Sequence, residues 1–220
     1  VDLNFFNYED FSLNTRWDVT IQSYNNSYIL FIDNVYKNPL KIYQYLKTAP
    51  IFSHKPTRQG SLNGKDFLDG QHVLHPHFYN DKGRQLLISK ICKFYKLPLP
   101  KFPLYTFFNQ FKLLQDYPGL DYYWNIHIDN ALNVLTYLNP DENISPGTSI
   151  YEPALKNLEQ DGSIGEHVHP WVHNKFFNEK LCLLSKFNSS VVFPGEWPHS
   201  QKIIDNRYKL KMRFTEITFI

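Results

Sequence analysis

Apolar residues recur along this chain with two different periods. In the first part, the run SYILFID at 27–33 predicts a strand. It leads into NPLKIYQYLKTA, where Asn38 stands as N-cap and Pro39 takes the first helical position, at which a missing N–H costs nothing. In KGRQLLISKICKFYK, Leu87, Ile88, Ile91 and either Phe94 or Tyr95 return at helical spacing, and the prolines of LPLPKFP end this second helix. Between these elements, 53–83 reads as loop: Gly60, Gly64, Gly70 and Gly83, with His54, His72, His75 and His77, are scattered among polar residues.

After about residue 102 the period shortens to two. LYTFFNQFKLL, NIHIDNALNVLTYLN, TSIYEP, KLCLLSKF, SVVFPG and LKMRFTEITFI read as strands separated by turns. Helices first and strands after predict an α+β chain whose C-terminal half closes into a β-sandwich or jelly roll. A length of 220 residues suits one β-rich domain, with 1–102 as supporting strand and helices and 103–220 as the core.

Composition narrows the picture. With 42% hydrophobic, 17% aromatic and 20% charged residues the chain is globular, and 15 Tyr and 18 Phe against one Met point to an aromatic-lined interior or cleft. A formal charge of +2, with no Lys/Arg block interleaved with aromatics, argues against a nucleic-acid partner. Cys92 and Cys182 are too few for a disulfide framework or zinc cluster, so a reducing compartment is expected, with Cys92 a small buried apolar residue on the second helix. No apolar run is long enough to span a bilayer, and Val1-Asp2-Leu3-Asn4 carries no basic or apolar leader signal. No membrane partner and a cytoplasmic location are expected.

The chemistry starts at WNIHIDN. Residues two apart in a strand share a face, so His127 and Asp129 present an imidazole and a carboxylate side by side, with Trp124 of opposite parity. With nine histidines in the chain, one such pair by chance is unsurprising. A second strand end, SVVFPGEWPHS, delivers His199. In a jelly roll two such ends can face each other across the mouth. Two neutral imidazoles and one carboxylate leave a divalent ion with net charge about +1 and open positions, the facial triad of non-haem Fe(II) oxygenases; structural zinc uses four closed ligands instead. The last strand, RFTEITFI, puts Arg213, Thr215, Ile217 and Phe219 on one face and Phe214, Glu216 and Thr218 on the other. Sunk into an apolar barrel, the Arg213 guanidinium needs an anion, and a carboxylate fork matches it; at the rim it is simply solvated.

Taken in order, YPGLDYYWNIHIDN, TYLNPD, GTSIYEP, SSVVFPGEWPHS and RFTEITF give the chain, from about 103 to 220, a clear likeness: it resembles the 2-oxoglutarate and Fe(II)-dependent dioxygenase superfamily, in the motif style of prolyl-hydroxylase-like enzymes. The resemblance implies a double-stranded β-helix (jelly roll) core with N-terminal helices packed on the outside. It implies His127, Asp129 and His199 as iron ligands and Arg213 as the residue for the distal carboxylate of 2-oxoglutarate. Tyr117 and Tyr137 fall where relatives hydrogen-bond the co-substrate, or are plain core aromatics; Asn133 and Leu135 share the face of Tyr137 and line the same pocket. The implied reaction uses Fe(II), O₂ and 2-oxoglutarate, and couples oxidative decarboxylation to hydroxylation of a small-molecule or peptidyl substrate. A peptidyl proline, a free amino acid, a small metabolite and a nucleobase are all compatible with an aromatic cleft.

Two stretches depart from the family pattern. His199 and Arg213 lie fourteen positions apart, and Lys209 and Lys211 share the parity of Arg213, so Lys209 is an alternative anchor. Residues 153–180 form an insertion containing GEHVHPWVHNKFF, in which His167, His169 and His173 have metal-like spacing. This supports a rival cupin-type metal enzyme using His167, His169 and His199, beside a third reading as a non-catalytic jelly-roll binding module. In the oxygenase reading, Trp171, Phe176 and Phe177 help to form a lid over the barrel mouth.

Overall fold

The structure, a computed structural model, describes residues 8–48, 67–73, 81–101, 104, 106–140, 145–154 and 171–220. Strands β1 (Asp18–Tyr24) and β2 (Ser27–Asp33) form an antiparallel hairpin. Its turn residues, Asn25 and Asn26, have φ of 44° and 59°, the left-handed pair of a tight hairpin, a region Asn tolerates better than most residues. The strand β1 goes beyond the expected elements. It forms one edge of its sheet, and its apolar positions Val19 and Ile21 are exposed, so no buried alternation marks it in the sequence.

The larger sheet has seven strands, in the order β1, β2, β10 (Ser189–Pro194), β6 (Leu132–Tyr137), β12 (Arg213–Phe219), β4 (Thr106–Leu113) and β3 (Phe67–Val73), each pairing antiparallel. Facing it are β11 (His199–Gln201), β7 (Ser145–Pro153) and β9 (Phe177–Ser185) in a three-stranded sheet. The pair β5 (Tyr122–Trp124) and β8 (Trp171–His173) is tied to β11 through a bridge between His127 and His199.

Alternation assigns the two faces of the large sheet. Leu132 and Val134 of β6 and Phe214 of β12 pack with Leu30, Val192 and Phe108 under helices α1 (Pro39–Thr48) and α2 (Lys82–Tyr95), which contribute Ile42, Leu46, Leu87 and Ile91. The opposite face of β6, Leu135 and Tyr137, packs with Val191, Phe193 and Trp197 against Ile150 and Leu183 of the smaller sheet. The chain is therefore sheet-rich, with its few helices layered on one face.

Helix α1 starts at Pro39, and the Asn38 carbonyl accepts from Lys41 N at 3.1 Å. Helix α2 is capped by Asp81, whose Oδ2 accepts from Arg84 N at 2.7 Å and from Leu13 N at 3.1 Å. It stops at Lys96, which adopts φ 57°, ahead of the expected proline stop. Of the two aromatic candidates, Tyr95 turns inward and donates to Tyr28 O at 2.8 Å, while Phe94 stays exposed. Cys92 is buried. No helix among the described residues is long and apolar enough to cross a membrane.

Three differences from the sequence expectations stand out. Within the expected loop at 53–83, FLDGQHV forms β3, which among the described residues is an edge strand bonded to β4; Asp69-Gly70-Gln71 interrupts any apolar alternation that would announce it. Leu210, expected in the last strand, belongs to the short helix α3 (Arg207–Leu210). The expected insertion is structured at its end: β8, a 3-10 turn at Asn174–Phe176 and a β9 that begins at Phe177.

The helix-facing side of β12 carries Glu216, 2% exposed. It accepts from Arg84 Nη1 at 2.5 Å and from Tyr36 Oη at 2.6 Å, and Arg84 Nη2 donates to Tyr36 Oη at 2.9 Å. Burial, and then the Glu216 charge, push the Tyr36 hydroxyl well above its ordinary value, so it remains a neutral donor. Removing one member of a buried pair strands the other charge at a cost of about 3–5 kcal/mol, whereas replacing the whole group by apolar residues is often close to neutral. Glu216→Leu alone should therefore lower the unfolding free energy by that amount, read as a lower urea midpoint at unchanged m, and Arg84→Met with Tyr36→Phe added should recover most of it. A single variant as stable as wild type would show that the triangle does not clamp α2 to β12.

Candidate metal centre

Two antiparallel backbone hydrogen bonds bring the histidines together: His127 N donates to His199 O at 3.0 Å and His199 N donates to His127 O at 2.9 Å. Their ring centroids lie 4.5 Å apart. His127 is not inside a continuous strand, contrary to expectation. Strand β5 ends at Trp124, Asn125 turns the chain with φ 29°, and His127 pairs as an isolated bridge. Asp129 reaches the cluster from a loop rather than by strand alternation. Its N–H donates to Gly195 O at 2.7 Å, and Gly195 N donates to Ala131 O at 2.9 Å. A Cβ at Gly195 would fall 2.3 Å from Ala131 O and 2.9 Å from Asp129 Cβ, so only glycine permits this clasp.

The three side chains converge. Asp129 Oδ2 lies 3.2 Å from His199 Nε2 and 3.9 Å from His127 Nε2, and the three ligand atoms lie within 4.8 Å of one another. His127 Nδ1 is 2.8 Å from Asn125 O, and His199 Nδ1 is 2.8 Å from Trp197 O. A carbonyl only accepts, so Nδ1 carries a proton in each ring and Nε2 is turned inward; in a neutral ring this is the tautomer a metal ligand needs, with the Nε2 lone pair free for the ion. Burial pushes the Asp129 carboxyl up, but the hydrogen bond from His199, the His127 and His199 charges and Asn133 together hold it below the ordinary carboxylate value, leaving it ionised at neutral pH.

Asn133, on β6, points its amide at the same spot: Nδ2 lies 2.8 Å from Asp129 Oδ2 and 3.1 Å from His199 Nε2. The partial positive charge of its N–H groups thus sits among converging acceptors. Its Oδ1 is buried with no hydrogen-bond partner, at a cost of about 1–3 kcal/mol unless a bound group meets it. Two imidazoles and one carboxylate fit a divalent cation with open positions.

A second polar centre lies beside the first. Arg213, 7% exposed on β12, donates from Nη1 to Gln201 Oε1 at 2.8 Å and from Nη2 to Gly147 O at 3.3 Å, and lies 5.9 Å over the Tyr137 ring. Among the described residues no carboxylate pairs with it. Tyr137 Oη donates to Thr148 Oγ1 at 2.9 Å, and burial raises this phenol to about 12 in spite of the Arg213 charge. Gly147 allows the ring in, since a Cβ there would meet Tyr137 Cζ and Oη at 2.8 Å. Thr215 Oγ1, also on β12, is buried without a partner. The guanidinium sits at the level of the Gln201–Thr148 pair, and the His199–Ile150 pair lies two residues along, about 7 Å.

The other expected residues are placed as follows. Leu135 packs beside Tyr137 between the sheets. Tyr117 stacks on Trp171 at 5.7 Å within the Phe111, Trp124 and Tyr208 cluster, and its N–H donates to Asn206 Oδ1. The alternative anchor Lys209 is corrected by position: it belongs to α3, not to the strand, and pairs with Asp116 at 2.6 Å. The lid expectation also changes, because Trp171 packs on Trp124 at 4.9 Å and Phe177 is buried against Ile126 and Tyr151. His173 Nδ1 accepts from Lys175 N. His167 and His169 of the cupin reading, and His54, His75 and His77, lie outside the described residues, as does the side chain of His72. The sequence expectations overlooked Gln201, although its parity with His199 in HSQ was the available signal, and the clasping Gly195.

No family model matches the sequence, and no curated protein matches it. Among solved structures, the chain is similar to a prolyl hydroxylase from Trichoplax adhaerens in complex with a hypoxia inducible factor oxygen degradation domain peptide fragment, at 18% identity over 87% of this chain and 83% of that chain, with a TM-score of 0.43. It is similar to a prolyl-4-hydroxylase from Pseudomonas putida at 12% identity over 82% of each chain, with a TM-score of 0.39. It is also similar to the ribosomal oxygenase YcfD from Escherichia coli at 10% identity over 93% of this chain and 53% of that chain, with a TM-score of 0.38.

The geometry sets an order of effects on metal affinity. In anaerobic calorimetric titration with Fe(II) or Mn(II), Asp129→Ala and His199→Ala should abolish measurable binding. Asn133→Ala, which removes a group that orients two ligands, should weaken it by about 10–100-fold. Lys209→Ala should leave it unchanged; unaltered binding in Asp129→Ala would place the metal elsewhere.

Proposed function

We propose that this protein is a non-haem Fe(II) dioxygenase that couples oxidative decarboxylation of 2-oxoglutarate to hydroxylation of a small-molecule or peptidyl substrate. The observation that carries the reading is Arg213: a buried guanidinium that among the described residues meets neutral acceptors only, about two strand residues from a His-Asp-His cluster. A buried cation without a counter-ion is unfavourable unless an anion is meant to arrive, and a dicarboxylate reaching from the cluster to Arg213 fits that spacing.

Strand order supports a double-stranded β-helix. The run β10, β6, β12, β4 in one sheet faces β11, β7, β9 in the other, to which the β5–β8 pair is joined by the His127–His199 bridge, and the chain from β4 to β12 passes back and forth between the two sides. In this reading residues 1–102 supply supporting strands and helices to a single domain, 103–220 form the catalytic core, and the protein works in the cytoplasm without a nucleic-acid or membrane partner.

His127, Asp129 and His199 would hold the iron, and Asn133 fixes the Asp129 oxygen that faces it. When bound, Fe(II) supplies O₂ activation driven by conversion of 2-oxoglutarate to succinate and CO₂. Arg213 would receive the distal carboxylate, with the neutral Tyr137 ring packed against the guanidinium and its hydroxyl donating to Thr148 Oγ1. Leu135 gives the pocket an apolar wall that excludes water, and Tyr117 stacked on Trp171 flanks its mouth.

Anaerobic addition of Fe(II) and then 2-oxoglutarate should produce the weak visible metal-to-ligand charge-transfer band. Arg213→Ala should need roughly 10–150-fold more 2-oxoglutarate, the equivalent of a charged hydrogen bond of about 1.5–3 kcal/mol. Metal binding without any band would overturn the co-substrate assignment.

A further inference from the structure

We infer that Gln201 is a positioning residue for the anion clamp: it orients Arg213 while leaving its charge uncompensated. The inference rests on the 2-oxoglutarate reading of the same site. An arginine side chain carries considerable rotamer freedom, and a bidentate grip on a carboxylate requires its plane to be set in advance. Two protein acceptors set it here. Gln201 Oε1 takes Nη1 at 2.8 Å, and Gly147 O takes Nη2 at 3.3 Å. The Gly147 carbonyl already accepts from Lys202 N at 3.0 Å, so the shorter, undivided bond is the one that Arg213 donates to Gln201. Among the described residues two of the five guanidinium N–H groups are thereby used, which leaves three for an incoming anion.

The choice of an amide is the informative part. A carboxylate at 201 would brace Arg213 equally well in geometry but would neutralise it, and an arriving dicarboxylate would have to displace an ion pair. An apolar residue would leave the charge in place but lose the brace. Only a neutral acceptor both orients and spares the cation. The position on β11 matters as well: Gln201 and His199 lie two residues apart on one strand, His199 bonded toward Asp129 and Gln201 toward Arg213, whereas the intervening Ser200 Oγ bonds to Tyr151 Oη. One three-residue strand therefore carries a metal ligand and the brace of the anion clamp, and holds their spacing.

Gln201→Leu and Gln201→Glu test this with two readouts: the 2-oxoglutarate midpoint of the charge-transfer band in Fe(II)-loaded protein, and the thermal stabilisation of metal-free protein by 2-oxoglutarate. Both variants should bind Fe(II) with wild-type affinity. The 2-oxoglutarate midpoint should rise about tenfold in Gln201→Leu, the scale of one neutral hydrogen bond, and further in Gln201→Glu, with the metal-free stabilisation weakened in the same order. Wild-type midpoints in both variants would overturn the inference while leaving the oxygenase reading intact. If wild type gives no band but its metal-free form is stabilised by 2-oxoglutarate and the variants are not, the clamp stands and the oxygenase reading falls. If wild type binds no 2-oxoglutarate in either form, both fall.

Discussion

Strand β12 has no solvent face. Helices cover one side of it and the smaller sheet covers the other, so a polar side chain it carries can find a partner only inside the protein, and Thr215 Oγ1 finds none among the described residues. On the helix side this is complete: Glu216 meets both Arg84 and Tyr36, and the charge of the strand is cancelled by the helix packed on it. On the sheet side Arg213 meets an amide oxygen and a backbone carbonyl, which satisfy hydrogen bonds without cancelling charge. The same strand thus holds one buried charge paired within the fold and, on its opposite face, one that among the described residues meets neutral acceptors.

The metal end is built from repeated local devices. Each histidine directs Nδ1 to the carbonyl two residues before it, His127 to Asn125 and His199 to Trp197, and the two segments then bond to each other through the backbone. Gly195 clasps the Asp129–Ala131 loop from a third direction. The three candidate ligands, His127 and Asp129 on one stretch of chain and His199 on another, are therefore held by main-chain hydrogen bonds, which would leave little reorganisation for a metal to impose.

The N-terminal segment takes part in this arrangement. Hairpin β1–β2 extends the large sheet beyond β10, and Tyr24 at its tip packs edge-on against Trp197 at 5.1 Å, the residue whose carbonyl holds the His199 ring. On the other flank, Trp171 of β8 packs against Trp124 and Tyr117, so residues from the expected insertion join the aromatic wall next to β5.

Periodicity made much of the secondary structure legible: β2, β4, β10 and both long helices appear as apolar patterns, and the two faces of β6 and β12 follow from parity alone, because side chains in a strand alternate whatever its neighbours are. The convergence of His127, Asp129 and His199 was expected from the order of the motifs, but strand alternation is not what brings His127 and Asp129 together. Strands β1 and β3 were not legible, since edge strands gain their hydrogen bonds from one neighbour and need no buried alternation. Tertiary structure alone decided that Asp129 meets His199 seventy positions later, that Gln201 rather than a carboxylate meets Arg213, and that Lys209 turns away on α3. Those outcomes depend on which backbone segments pair and on a single close approach at Gly195, and pairing between distant segments leaves no period in the sequence to be read.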